Sequence, residues 1–137
     1  MGYISIRRTR ELKATDLRIE LQKAANVLSA LTDELPTMLE RVKISQGKLP
    51  FSSLQTNTSI ERITLDLQDV HRIQAATPEK LRDLESSSHA ELENRIIAIH
   101  QMHLKAMAIK ERGEASIQEA EKQAAEFYRD MNRILSR

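Results

Sequence analysis

The chain has 137 residues, of which 30% are charged and 40% are hydrophobic, but only 3% are aromatic and none is Trp. Its 21 basic residues oppose 20 acidic ones, so the net charge of +1 provides no overall field that would attract nucleic acid or an anionic membrane. Cysteine is absent, which excludes disulfides, thiol nucleophiles and cysteine-based zinc sites. Three Gly and three Pro are too few turn residues for a many-stranded sheet, so we expect an all-α protein with an aliphatic core.

The chain contains no stretch that would cross a membrane or direct secretion. Its longest aliphatic run, from Ile96 to Ile99, is far shorter than the roughly 20 residues that span a bilayer. The N-terminus lacks the apolar core of a signal peptide. Together with the missing cysteines, this leads us to expect a cytoplasmic protein without a membrane span, and it leaves a nuclear location open.

The N-terminus is rich in positive charge. One acidic residue, Glu11, accompanies four basic residues there: Arg7, Arg8, Arg10 and Lys13. Because Thr15 or Asp16 can cap a following helix, the sequence predicts a basic arm over residues 1–14 and a single helical domain over residues 15–137. Four phosphate contacts bind nucleic acid weakly on their own, so we rank docking of the arm on a partner protein above contact with nucleic acid.

The first predicted helix carries the most regular pattern in the chain. Its apolar residues recur at alternating steps of four and three: Leu17, Leu21, Ala24, Leu28, Leu31, Leu35, Met38 and Val42. Such spacing over more than three heptads is typical of a helix that buries one stripe against partner helices. The pattern stays in phase across Pro36, so we expect a kink there, with a restart at the Thr37 and Glu40 capping box as the alternative. Gly47 would end the helix in a left-handed conformation.

Two further helices are predicted after a linker over about residues 48–57. The first opens on Thr58, which forms a capping box with Glu61. Its apolar face consists of Ile60, Ile63, Leu67, Val70 and Ile73 or Gln74. Thr77 followed by Pro78 is typical of an N-cap and a first helical turn, so a separate short helix is expected next.

The last third of the chain predicts one long helix. Ser88 and Glu91 form a capping box ahead of an apolar stripe. The stripe consists of Leu92, Ile96, Ile99, Met102, Ala106, Ile109, Ile117, Ala120, Ala124, Phe127, Met131 and Ile134. Two successive steps of four residues around Gly113 insert a stutter, and we favour a continuous helix to Leu135 over one that ends at Gly113 and restarts at Ser116. At 1.5 Å per residue, this helix would be on the order of 65 Å long, so the protein would be elongated.

The sequence contains no arrangement of residues typical of an active site or a cofactor site. His100 and His103 share a predicted helix face, but a metal centre needs three or more converging ligands, and no Glu-x-x-His or His-Glu-x-x-His pattern supplies them. No Gly-x-Ser-x-Gly nucleophile elbow occurs, and glycines only at positions 2, 47 and 113 cannot form a phosphate-binding loop. We therefore expect no metal, cofactor or small-molecule substrate and no enzymatic activity.

These patterns predict an all-α protein, an elongated helical bundle or coiled coil of three to five helices with a long C-terminal helix. We expect a structural or scaffolding protein that assembles with itself or with other helical subunits of a larger complex. The residues expected to bind the partner are Leu17, Leu21, Leu28, Leu31, Leu35, Met38, Val42, Ile117, Phe127, Met131 and Ile134. The alternative is a nucleic-acid-associated helical protein that uses the basic residues from Arg7 to Lys13.

Overall fold

A computed structural model describes the backbone of residues 2–48 and 53–136 and the side chains of residues 13–48 and 60–136. These residues form three helices: α1 (Gly2–Gly47), α2 (Ser53–Lys80) and α3 (His89–Leu135). No strand lies within the described ranges, so the all-α prediction is confirmed. Within the same ranges, no helix is both long enough and apolar enough to pass through a membrane.

Contacts between the helices divide the chain into two compact units, each with parts of all three helices. Unit 1 consists of Met1–Asp33 and Arg72–Ala106 and includes the turn between α2 and α3. Unit 2 consists of Glu34–His71 and Met107–Arg137. Each unit has its own aliphatic core, as the small number of aromatic residues requires.

The core of unit 1 is built from one stripe on each helix. Its buried apolar residues are Leu21, Ala25, Leu28 and Leu31 of α1, Ile73 of α2, and Leu92, Ile96, Ile99 and Ala106 of α3. The α3 members all belong to the stripe predicted for that helix. Full burial of a Leu or Ile side chain stabilises a protein by about 1.5–3 kcal/mol, so these stripes hold the three helices of the unit together.

Unit 2 is held together in the same way, with the addition of an ion pair between a buried carboxylate and exposed arginines. Its buried apolar residues are Leu35, Leu39 and Val42 of α1, Ile63 and Val70 of α2, and Ile109, Ile117 and Ala120 of α3. Asp66 of α2 lies on the same stripe as Ile63 and Val70 and is only 4% exposed. Its Oδ1 accepts a hydrogen bond from Arg112 Nη2 of α3 at 2.8 Å and lies 3.4 Å from Arg62 Nε. The buried carboxylate is therefore paired, which offsets the cost of removing it from water.

The buried stripe of α1 is wider than the sequence pattern suggested. The predicted and observed stripes share Leu21, Leu28, Leu31, Leu35 and Val42. Three further buried residues were not predicted: Ala25, Thr32 and Leu39. The other predicted residues, Leu17, Ala24 and Met38, are half-buried. A helix with two neighbours buries both the i+3 and the i+4 positions, so the narrow predicted stripe missed three core residues.

α1 differs from the prediction in where it begins and in the conformation of its last residue. The helix begins at Gly2, so the basic N-terminal segment has a helical backbone. The expected cap at Thr15 or Asp16 is therefore wrong, because the helix continues on both sides of these residues. The helix ends at Gly47 as predicted, but no described glycine has a positive φ, so the expected left-handed cap is also wrong.

α2 is longer than predicted at both ends. It begins at Ser53, so Thr58 lies inside the helix and the predicted linker is too long. At its other end, α2 continues through Thr77 and Pro78 instead of stopping before them. Thr77 is not an N-cap, because its hydroxyl donates to the carbonyl of Ile73 at 2.7 Å, one turn back in the same helix.

Residues 81–86 form a turn instead of the predicted short helix. Asp83 has a φ of 51°, in the left-handed region that aspartate tolerates better than most residues. Its carbonyl accepts hydrogen bonds from the hydroxyls of Ser86 at 3.1 Å and Ser87 at 2.6 Å. A right-handed helix cannot pass through a residue in this conformation, so the chain reverses here.

Two arginines fasten this turn to the rest of unit 1. Arg18 of α1 donates from Nε to the carbonyl of Leu84 at 3.0 Å. The Arg95 guanidinium of α3 donates to the carbonyl of Arg82. These bonds satisfy turn carbonyls that have no helical donor.

α3 begins and continues as predicted. Ser88 Oγ accepts a hydrogen bond from the backbone N–H of Glu91 at 3.2 Å, so the predicted N-cap is confirmed. The helix then runs from His89 to Leu135 without interruption, and Gly113 has no positive φ. The continuous helix is therefore confirmed, and the alternative with a helix end at Gly113 is wrong.

Pro36 lies within α1 and does not break it, so the alternative restart at Thr37 is wrong. Because proline has no N–H, the carbonyl of Thr32, four residues earlier, loses its helical donor. Gln74 of α2 replaces that donor, with its Nε2 at 3.2 Å from the carbonyl oxygen. The Thr32 hydroxyl, which is also buried, donates to the carbonyl of Ser29 at 3.1 Å. A polar residue of α2 thus compensates for the proline of α1.

Gly113 allows α1 and α3 to approach each other closely in unit 2. The residue is buried. A Cβ at this position would fall against Met38 Cε, at 2.9 Å from Met38 Sδ and 3.5 Å from Val42 Cγ2. Close packing therefore explains why a glycine occurs inside α3, where it lowers helix propensity.

We predict that replacing Gln74 by Leu destabilises the protein only while Pro36 is present. In the wild type, Gln74→Leu leaves the buried Thr32 carbonyl without a donor, which costs about 1–3 kcal/mol of unfolding free energy. In a Pro36→Ala background, residue 36 regains its N–H, so the same change should cost little. Urea unfolding of the four chains in a double-mutant cycle measures the difference, with Gln68→Leu on the exposed side of α2 as control. Equal costs in both backgrounds would show that Gln74 does not compensate for the proline.

We also predict that the effect of Gly113→Ala depends on Met38. Alanine improves helix propensity by about 1 kcal/mol over glycine, but here its Cβ must displace the Met38 side chain. In a Met38→Ala background this obstacle is gone, so Gly113→Ala should raise the unfolding free energy by about 1 kcal/mol there and by clearly less in the wild type. Gly47→Ala is the control, because a Cβ at Gly47 meets no atom within 4 Å. The same effect of Gly113→Ala in both backgrounds would contradict the close-packing explanation.

Candidate partner-binding surface

The structure buries most of the predicted partner-binding residues of α1 inside the chain itself. Leu21, Leu28, Leu35 and Val42 are at most 4% exposed, and Leu31 is 9% exposed. The other two, Leu17 and Met38, are half-buried. The most regular stripe in the sequence therefore packs on this chain's own helices within each unit and is not available to a partner in this fold.

The predicted residues of α3 pass from buried to exposed along the helix. Ile117 is 7% exposed and Ala120 is 3% exposed, so both belong to the core of unit 2. Phe127 is half-buried, Met131 is 40% exposed, and Ile134 is 68% exposed. The apolar spacing of three and four residues continues through this region. The side chains of α1 and α2 no longer cover it there.

The exposed end of this stripe forms an apolar surface that we call the terminal stripe. It consists of Tyr128, Met131, Ile134 and Leu135. Leu135 is 76% exposed and Tyr128 is 64% exposed, and the ring of Tyr128 meets the edge of Phe127 with a centroid distance of 5.7 Å. Three large aliphatic side chains and one aromatic ring thus face water on the last two turns of α3.

Sequence reasoning missed half of the terminal stripe. Tyr128 and Leu135 were not predicted as partner-binding residues, although each directly follows a stripe residue, Phe127 or Ile134. A pair of adjacent apolar residues that recurs after seven residues was the available signal. Apolar residues directly beside a stripe widen the surface that a neighbouring helix can cover.

A shallow groove in unit 1 contains the two histidines that the sequence drew attention to. It has a volume of about 190 Å³ and is lined by Ala24, Val27, Ile99, His100 and His103. Among the residues whose positions are described, no three His, Asp or Glu side chains come together as a metal site requires. The groove thus brings two imidazoles together between apolar walls.

The four basic residues predicted to contact nucleic acid or a partner are only partly described. Lys13 is exposed on α1. The side chains of Arg7, Arg8 and Arg10 lie outside the described residues, although their backbone belongs to α1. Contact of these residues with nucleic acid therefore stays a prediction from the sequence.

No family model, no curated protein and no solved structure matches this chain. Long helices with aliphatic stripes occur in proteins of many unrelated functions, so the fold alone does not indicate what the protein does. Its function is therefore inferred from its own surfaces, above all from the terminal stripe.

Proposed function

We propose that this protein is a non-enzymatic assembly protein that binds a helical partner through the terminal stripe of α3. One observation carries the proposal: the apolar spacing that builds the core of unit 2 continues beyond that core. Exposure along it rises from 3% at Ala120 to 68% at Ile134. Such a row is suited to a neighbouring helix that covers it as α1 and α2 cover the earlier part.

The terminal stripe differs from the other exposed apolar residues of the described chain. Leu65 of α2 and Ile44 of α1, for example, are 52% and 53% exposed, but neither extends a buried stripe of its helix into an exposed row. Single apolar residues on a surface are normal and need no partner. Four large apolar side chains within eight residues, two in phase with a core and two directly beside that stripe, are typical of a helix that packs against another helix.

The proposed interface lies on α3, whereas the sequence pattern indicated one mainly on α1. The α1 stripe was expected to bind the partner, but the chain's own helices cover it. What supports assembly is therefore a shorter surface, made of the predicted Met131 and Ile134 together with Tyr128 and Leu135. Because this surface is short, it favours a reversible complex over a permanent one.

We predict that a carboxylate introduced on the terminal stripe abolishes binding, whereas a carboxylate introduced in a core lowers stability. Ile134→Asp places a charge on the terminal stripe, so it should abolish binding without changing the melting temperature. Leu28→Asp places a charge in the core of unit 1, so it should lower the unfolding free energy by several kcal/mol. Asn132→Asp, an exposed polar position on α3, is the matched control and should change neither property.

Light scattering over a concentration series, affinity capture and thermal unfolding measure these outcomes. Binding that persists in Ile134→Asp, or absence of any binding by the wild type, would contradict the proposal. Binding of DNA or RNA that weakens with salt and survives Ile134→Asp would support the nucleic-acid alternative instead.

A further inference from the structure

All sulfur atoms of this chain belong to methionine. The chain has five methionines and no cysteine, so no thiol competes with the thioethers for an oxidant. Three of the methionines whose side chains are described are half-buried: Met38, Met102 and Met107. Met131 is the most exposed of those described, at 40%. The described thioether that a dissolved oxidant reaches most easily therefore lies near the end of α3.

Met131 lies in the middle of the terminal stripe. It follows Phe127 by four residues and precedes Ile134 by three, so the three residues share one face of α3. Neither core includes Met131, since Ala120 is the last buried apolar residue of α3 in the described chain. A chemical change at Met131 therefore alters the proposed binding surface and leaves both cores intact.

We propose that Met131 is a site of reversible oxidation by hydrogen peroxide, and that its sulfoxide releases the partner of the terminal stripe. The inference rests on the proposed function and adds a means of regulating it. The sulfur lone pair attacks one peroxide oxygen, an S–O bond forms as the O–O bond breaks, and water leaves. Sulfur thereby loses the two electrons that the peroxide gains. A thiol-dependent sulfoxide reductase reverses the change, because two thiols become a disulfide and the oxygen leaves as water.

The sulfoxide replaces a flexible apolar group by a polar one. On the free protein, water donates hydrogen bonds to the sulfoxide oxygen at the exposed end of α3. A partner helix that covers the stripe with apolar side chains must remove this water without replacing its hydrogen bonds, which is costly. Oxidation of Met131 therefore weakens the complex and has little effect on the stability of the free chain.

The first test maps the modification in the full chain. The wild type is treated with hydrogen peroxide, and peptide mass spectrometry follows the oxidation of each methionine over time. Met131 should gain oxygen severalfold faster than Met38, Met102 and Met107, and conversion of Met131 alone should leave the circular dichroism and the melting temperature unchanged. The matched control is Met131→Leu, which keeps an apolar side chain and should lose the fast oxidation. Equal rates at these four methionines, or a lower melting temperature after conversion of Met131 alone, would overturn the proposed site.

The second test measures the apolar surface with anilinonaphthalene sulfonate, a dye that fluoresces on exposed apolar groups. Ile134→Asp gives the background from the rest of the chain. Above this background, the oxidised wild type should bind the dye severalfold more weakly than the reduced wild type. Met131→Gln, with a polar side chain of similar length, should reproduce the loss without peroxide. Met131→Leu should bind the dye equally before and after peroxide, and a sulfoxide reductase with a dithiol should restore binding by the oxidised wild type.

The outcomes separate this inference from the proposed function. Equal dye binding by the oxidised and the reduced wild type would overturn regulation through Met131 and retain the assembly function. Rapid oxidation of Met131 with weaker dye binding, in a wild type that binds no helical protein, would overturn the assembly function and retain the modification site. Slow oxidation of Met131 in a wild type without such binding would overturn both.

Discussion

The apolar side chains spaced three or four residues apart on α1, α2 and α3 are the constraint on which the rest of the structure depends. With only 3% aromatic residues, the chain fills its cores with long rows of small aliphatic side chains. In each unit, the three helices cover one another's rows. On α3 the row is longer than its cover, since Ala120 is 3% exposed and Ile134 is 68% exposed. Exposure of apolar surface to water is unfavourable. A partner therefore stabilises the protein most when it covers the end of α3.

Polar groups inside these rows determine how the helices align within each unit. In unit 1, the Thr32 carbonyl that Pro36 deprives of a donor is bound by Gln74. In unit 2, the Asp66 carboxylate is bound by Arg112. If α2 slid along its neighbours, either acceptor would be left buried without its partner, at a cost of about 1–3 kcal/mol for the carbonyl and more for the carboxylate. Rows of similar aliphatic residues resist sliding less, so the polar contacts favour one alignment.

The parts of the fold that depend on local chemistry and spacing could be predicted from the sequence. α3 is the clearest example, because Ser88 caps it and its apolar stripe continues through Gly113 without a break. The number of neighbours of each helix is a tertiary property, and for that reason Thr32 was missed in the core and the covered stripe of α1 was taken for a partner surface. Ambiguous local patterns also led to wrong predictions. Thr77 before Pro78 resembles an N-cap, but its hydroxyl donates to the carbonyl of Ile73 within α2. The exposed end of α3 was predicted in part, through Met131 and Ile134.

Backbone hydrogen exchange of the full chain at a low and a high protein concentration tests the central claim most directly. At low concentration, amides of residues 92–120 should be protected by the cores, whereas those of residues 124–135 should exchange rapidly, as in a helix without cover. At high concentration, self-association through the terminal stripe would raise protection in residues 124–135 alone and leave the cores unchanged. Protection of residues 124–135 equal to that of residues 92–120 at low concentration would contradict the claim that the end of α3 has no cover from the chain's own helices.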